Sequence, residues 1–263
     1  MFDRSYRERI AGRSFVIPVI NGRKTYSSEP WMTEVIRRLF ELKSGAFIDV
    51  GVNLGQTLLK VAAVDPSRAY VGFEPNPTCV DYAWKLISAN ELPYQVIPAG
   101  ISSETTILNL EMFRAEDTDP SASIVPSFRA NSVDHRPVMV INSDALPTGT
   151  IPDDVAVVKV DVEGGELFVI EGLMPVLKQT RPFLVVEILP ASTPQRLERQ
   201  QAIERHLAAL DYAILRIVRS DRDRFEGLMP IDEFGIQNDL AFCDYILAPR
   251  AQADRLANDP GAG

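Results

Sequence analysis

Cysteine is scarce. The 263 residues include two, Cys79 and Cys243, far apart and neither in a C-x-x-C pair. That excludes a disulfide framework and a cysteine-rich zinc site, and it points to a reducing compartment with each thiol serving as a small buried apolar residue. Surplus positive charge is also missing. The net charge of −9 opposes the counterion displacement on which nonspecific nucleic-acid binding depends, and it opposes a lasting hold on anionic membranes. No apolar run approaches the roughly 18 residues of a membrane helix. The charged opening, Met1 to Arg9, leads into no apolar core of a secretory signal. These absences predict a cytoplasmic protein without nucleic acid or membrane insertion among its partners. Aromatic residues make up 8%, so Trp31, Trp84 and Phe128 are the candidates for stacking against a sugar ring. Internal repeats and an interdomain linker are absent as well.

What remains is an ordinary globular composition, 46% hydrophobic and 24% charged, in a chain whose length suits one large α/β domain. Ser28-Glu29-Pro30 caps a helix whose apolar residues fall at 32, 35, 36, 39 and 40. Short apolar runs then alternate with helical patterns: Ala46 to Gly51, Leu54 to Val64, Tyr70 to Glu74, Pro77 to Ala89, and Tyr94 to Pro98. After a break come the strand Asp154 to Val160, a helix Gly165 to Leu177 and the strand Phe183 to Ile188. A polar helix, Pro194 to Leu210, precedes two strands, Tyr212 to Val218 and Ala241 to Leu247, with no evident helix between them. Such alternation predicts a mostly parallel sheet covered on both faces, with one strand antiparallel near an edge. The break is a hairpin strand, Thr105 to Glu111, and a polar stretch, Ala115 to Arg136. We read residues 112–137 as a lid or substrate insertion. Residues 1–45 read as a helical lead-in, 1–250 as a single domain and 251–263 as a frayed tail.

Asp49-Val50-Gly51-Val52-Asn53-Leu54-Gly55-Gln56 turns the first strand of this alternation into a helix, at the carboxyl edge where open α/β sheets bind ligands. A dinucleotide fingerprint would place glycine at positions 53 and 56, the first making room for a pyrophosphate. Here these are Asn53 and Gln56, which favours an adenosyl ligand without phosphates. Glu74 closes the next strand, 23 residues beyond Gly51, and a carboxylate there accepts hydrogen bonds from both ribose hydroxyls. Asp49 has a plainer alternative role in capping local backbone amides.

Three blocks resemble the FkbM-type methyltransferase family: Phe47 to Gln56, Phe73-Glu74-Pro75-Asn76-Pro77, and Lys159-Val160-Asp161-Val162-Glu163-Gly164-Gly165-Glu166. The likeness continues through Glu171-Gly172-Leu173, Arg181-Pro182 and Val186-Glu187 to Ala248-Pro249-Arg250. It spans roughly residues 28–250, with Val52 and Gly165 standing where the family usually has alanine. The resemblance implies a Rossmann-like class I fold with a seven-stranded sheet, S-adenosylmethionine as methyl donor, and O-methylation of a hydroxyl on a sugar, glycan or other small natural product. It also implies that Gly51, Asn53 and Gly55 line the methionine part of the donor, with Asp49 and Gln56 bounding that loop. Glu74 would hold the ribose, with Asn76 near the adenine and Ser102 at the adenine edge.

A hydroxyl attacks poorly until a base or a metal draws off its proton. Strand alternation through Lys159, Asp161 and Glu163 sends all three to one face. We take Asp161 as first candidate for base or acceptor-positioning residue, then Glu163, with Glu187 joining from the next strand end and His135 reaching in from the polar stretch. Three converging carboxylates also suit Mg²⁺ as a second reading. Two other functions compete. A nicotinamide-dependent oxidoreductase is opposed by Asn53, and a non-catalytic nucleoside-binding partner is opposed by the acidic cluster at 159–163.

Overall fold

The computed structural model describes residues 3–236 and 239–257. The chain begins with a hairpin, β1 (Arg4–Ile10) and β2 (Arg13–Val19), turned by Ala11 and Gly12 at positive φ. Helix α1 (Pro30–Leu42) follows, then β3 (Ala46–Val50), α2 (Gln56–Val64), β4 (Tyr70–Phe73), α3 (Pro77–Ala89) and β5 (Gln95–Ile97). Next come β6 (Gly100–Ile101), β7 (Thr106–Met112) and β8 (Asp134–Ile141). The second half holds β9 (Val155–Val160), α4 (Glu166–Gly172), α5 (Met174–Thr180), β10 (Phe183–Glu187) and α6 (Pro194–Ala209). Strands β11 (Tyr212–Arg219), β12 (Phe225–Ile231) and β13 (Asp244–Pro249) close the sheet, and α7 (Arg250–Ala257) covers it.

The central sheet has the order β12-β11-β13-β10-β9-β3-β4-β5. Its middle strands are the continuous apolar runs: every residue of β3 and β9 is buried, as expected for parallel strands covered on both faces. The pairs β5–β4, β4–β3, β3–β9 and β9–β10 are parallel, whereas β13 runs antiparallel to both β10 and β11. Two apolar layers flank the sheet. One takes α1, α2, α3 and α7 through residues such as Trp31, Leu58, Ala83 and Leu256. The other takes α4, α5 and α6 through Val169, Leu177 and Ile203. Helix α1 buries Met32, Val35, Ile36 and Leu39 of the stripe its spacing predicts, with Trp31 buried beside them and Phe40 half-buried. Among the described residues no helix is long and apolar enough to cross a membrane.

The expected parallel α/β architecture is present, with corrections. The sheet has eight strands where seven were expected, because β12 joins its edge. Gly227 and Pro230 give that segment no apolar run, and an edge position tolerates both. The lead-in is not wholly helical: residues 4–19 form the β1–β2 hairpin, in which Phe15, Ile17 and Val19 bury one face. The single helix expected over 165–177 is two. The break lies at Leu173 and Pro175, where Gly172 packs on Ser102 so closely that a Cβ would lie 2.2 Å from its carbonyl oxygen. The tail is not frayed through 257, since Ala253 and Leu256 of α7 are buried. Residues 258–263 lie outside the described residues.

Strands β6, β8 and β7 form a second sheet. Between β7 and β8, residues 113–133 fold back in ordered turns. Asp119 accepts from the amides of Phe113, Arg114 and Ser121, Glu111 and Ser123 pair through their backbones, and Val125 and Phe128 are buried.

Candidate active site

The sheet order reverses between β3 and β9, which opens a crevice at their carboxyl ends. Gly51 turns out of β3 at φ 90, and a Cβ there would sit 2.0 Å from the Asp161 carbonyl oxygen. Glycine is therefore demanded by the approach of the β9 loop as well as by any ligand. Asn53 follows at φ 47, where asparagine is one of the few tolerated side chains. Gly55 is the left-handed residue before α2, and a Cβ there would meet Leu86 at 2.8 Å. It serves helix packing and does not face the crevice.

Glu74 is buried just past β4. Its carboxylate accepts from the amides of Asn53 and Asn76, each at 2.8 Å. Burial pushes this carboxyl up to about 7, against those two amides and the charge of Lys159, which pull it down. Asn76 caps α3 by accepting from the Thr78 amide, and its Nδ2 donates to the Asp117 carbonyl. Arg23 and Arg136 both hold the Asp117 carboxylate, so the insertion is tied to the segment after the N-terminal hairpin and to β8.

Lys159 ends up deep beside the glycine loop. Its Nζ donates to the Gly51 carbonyl at 2.9 Å and lies 3.3 Å from Asp49 and 3.2 Å from Asp161. Burial opposes its charge, but the carboxylates of Asp161 and Asp49 more than offset this and hold the ammonium above the ordinary lysine range. Asp49 is fully buried, with Tyr70 donating to it at 2.7 Å. It accepts from no backbone amide and does not line the cavity, so the capping reading is corrected. Strand β9 stops at Val160, so strand alternation does not place Asp161 and Glu163. They occupy a turn in which Glu163 and Gly164 take positive φ. Asp161 is partly exposed, and Glu163 pairs with Arg129 at 2.5 Å. Glu187 ends β10 opposite Asp244 of β13. Burial raises its carboxyl well above the usual range, reinforced by the charges of Asp161, Asp244 and Glu163.

These groups surround a cavity of about 370 Å³, whose wall includes Gly51, Asn53, Gln56, Glu74 and Asn76 at one end and Lys159, Asp161, Glu163 and Glu187 at the other. That volume falls in the range of small-ligand sites. Ile101, Leu110, Ile124 and Val169 supply an apolar wall, and Tyr26, Ser28 and Glu29 close the side toward α1. Sequence reasoning missed these. The cap signal Ser28-Glu29-Pro30 marked a helix start, and nothing in it distinguishes a cap from a ligand contact. Four expected residues are not brought to the cavity. Asp49 and Gly55 lie behind it, Ser102 is buried with its amide bonded to Ile141, and His135 is exposed on β8 beside Ser132. The three aromatics that could contribute to sugar stacking do not line the cavity: Trp31 is core, Trp84 donates to the Val96 carbonyl, and Phe128 packs under Gly164. Among the described residues no three acidic, histidine or cysteine side chains are grouped to hold a metal ion.

The order of these parts along the chain matches a known family: the model for the methyltransferase FkbM domain covers residues 49–214. The chain belongs to the FkbM methyltransferase family. Its sheet is the Rossmann-like class I methyltransferase sheet with β12 added. Among solved structures, the FkbM methyltransferase of Methylobacillus flagellatus KT is 16% identical at a TM-score of 0.48, over 78% of this chain and 43% of that one. This FkbM chain thus spans less than half the length of that relative. The Streptomyces achromogenes O-methyltransferase TomG, involved in tomaymycin synthesis and solved with S-adenosylmethionine, is 17% identical at 0.45, over 85% and 81% of the two chains. The Pyrococcus abyssi tRNA (uracil-54, C5)-methyltransferase, solved with S-adenosylhomocysteine, is 12% identical at 0.44, over 92% and 43%. No curated protein sequence matches the chain significantly.

Proposed function

We propose that this chain is an S-adenosylmethionine-dependent O-methyltransferase acting on a hydroxyl of a sugar, glycan or other small natural product. The observation that carries the reading is Glu74, a buried carboxylate on the wall of a cavity that also presents Asp161 and Glu187 at its other end. An adenosyl donor fits these residues. Glu74 has lone pairs left for two ribose hydroxyls, the apolar wall suits a purine, and Asn53 stands where a pyrophosphate would need glycine. When bound, S-adenosylmethionine supplies a methyl group activated by its sulfonium.

The chain's own residues then have two tasks, alignment and removal of a proton. Gly51, Asn53 and Gln56 border the methionyl part, and Asn76 sits toward the adenine. Lys159 holds Asp161 at 3.2 Å, which positions Asp161 to accept a hydrogen bond from the acceptor hydroxyl. Glu187, raised by burial and by its acidic neighbours, is the residue we assign as proton acceptor, in its ionised form. Glu163 is engaged with Arg129 and shapes the entrance. The acidic acceptor end and the net charge of −9 favour neutral acceptors over nucleic acid. We place the protein in the cytoplasm and treat the chain through Ala257 as one domain.

The test is transfer of label from methyl-labelled donor to a panel of neutral polyols and glycosides. The reading expects a base-stable methyl ether on one class of acceptor, with Glu187→Gln slowing transfer by roughly 10²-fold or more. Transfer to nitrogen or carbon in place of oxygen, with no ether formed, would reject it.

A further inference from the structure

The notion of a methyl-donor cavity leaves the charged amino-acid end of the donor without a partner for its ammonium. We propose that Glu29, held in place by Lys60, binds that α-ammonium group. The proposal rests on the reading of the cavity as a methyl-donor site.

Glu29 precedes α1 in the left-handed region, at φ 47 and ψ 63, and its side chain makes no cap hydrogen bond. A residue with a side chain adopts this conformation unfavourably, and such strain concentrates at binding sites. A capping role does not account for it, because the carboxylate turns away from the helix amides. It meets Lys60 instead, with Nζ 3.0 Å from Oε2. Lys60 is 2% exposed in the middle of α2. A buried ammonium must have a counter-charge, and here it fixes the Glu29 side chain from behind. The bond to Lys60 uses Oε2, leaving Oε1 for the cavity that Glu29 lines beside Gly51, Gln56 and Thr57.

Of the other carboxylates near the glycine loop, Asp161 is paired with Lys159 and assigned to the acceptor, and the rest are committed. Asp49 is sealed behind Lys159 and Tyr70 and does not reach the cavity. Asp119 accepts from three amides and the Ser121 hydroxyl. Glu74 accepts from two amides at the ribose position. Across the loop, the first turn of the nine-residue helix α2 presents amides without intrahelical partners. They suit the carboxylate of the same zwitterion. One charged end would thus face amides and the other Glu29.

Calorimetric titration with S-adenosylhomocysteine and with its deamino analogue tests this, since the two ligands differ in the amino group alone. Wild type should bind S-adenosylhomocysteine at least about tenfold more tightly than the analogue. Glu29→Gln should lose about tenfold or more for the first and less than about twofold for the second. The Glu29→Gln/Lys60→Met double variant removes the orphaned ammonium and should show the same selective loss with a wild-type melting temperature. Equal loss for both ligands, or no loss for either, overturns the assignment while leaving the donor-site reading intact. If wild type binds neither ligand, the donor-site reading fails and the role of Glu29 with it.

Discussion

Replacing Lys159 with methionine removes the counter-charge of a carboxylate that has no route to water. Asp49 is 0% exposed and its ion pair with Lys159 is 3.3 Å long. Breaking a buried pair from one side costs roughly 3–5 kcal/mol, because the surviving charge stays desolvated. The Tyr70 hydroxyl remains as a donor to Asp49. In a domain of this size about 1 kcal/mol moves the midpoint by about 2–4 °C, so Lys159→Met should melt roughly 10 °C below wild type at alkaline pH. The sign of the pH dependence follows. Burial already raises the Asp49 carboxyl above its ordinary value, and without Lys159 it rises further. A raised acid stabilises the fold below its unfolded value of about 4 and loses that contribution as pH climbs. The deficit of Lys159→Met should therefore shrink on acidification from about pH 8 toward pH 5. Adding Asp49→Asn removes the stranded charge, so the double variant should be more stable than the sum of the singles by about 0.5–3 kcal/mol. Urea or thermal unfolding across that pH range measures all three. Additive singles, or a Lys159→Met loss under about 1 kcal/mol at alkaline pH, would refute the reasoning.

Gly51→Ala places a Cβ 2.0 Å from the Asp161 carbonyl at φ 90; it should cost at least about 1–2 kcal/mol in backbone strain alone and abolish donor binding, measured by melting and titration. Glu187, raised by burial and acidic neighbours, stabilises the ligand-free fold below its unfolded value and loses that contribution as pH rises through its folded value. Wild type should thus lose stability toward alkaline pH more steeply than Glu187→Gln, and parallel profiles of melting temperature would count against its raised carboxyl. Arg129→Ala deletes an ion pair whose arginine side chain is 41% exposed; unfolding should shift by no more than about 1 kcal/mol, and a larger loss would show that the insertion depends on it.

What was legible in the sequence was whatever one strong local cause decides. Short apolar runs at 46–50, 155–160 and 183–187 read as buried strands, and the stripe at 32, 35, 36, 39 and 40 buries one helix face, with Phe40 half-buried at its margin. The alternation of these elements places Gly51, Glu74, Asp161 and Glu187 at one sheet edge, so most of the cavity wall was readable. Features decided by tertiary contact were not. Strand β12 is held by pairing to β11 at an edge, with no pattern of its own. The hairpin of residues 4–19 hides its alternation among arginines. Asp49 carries the motif position of a ligand residue, yet Lys159 and Tyr70 enclose it, and that depends on which side chain β9 delivers beside β3. His135 was expected at the acceptor because the insertion was read as a mobile lid; strand pairing with Glu111 instead fixes it on the outside. Glu29 escaped notice because a helix-start signal explains the same residues.

The central claim is that the cavity beside Glu74 takes an adenosyl methyl donor and not a dinucleotide. Calorimetric titration of the purified protein with S-adenosylhomocysteine, repeated on Glu74→Ala and with NAD in place of the ligand, addresses it most directly. Removing a buried carboxylate that receives ribose hydroxyls should cost about 1.5–3 kcal/mol per hydrogen bond. The account predicts micromolar binding to wild type, loss of binding to Glu74→Ala, and no heat with NAD. Heat with NAD and none with S-adenosylhomocysteine would contradict it.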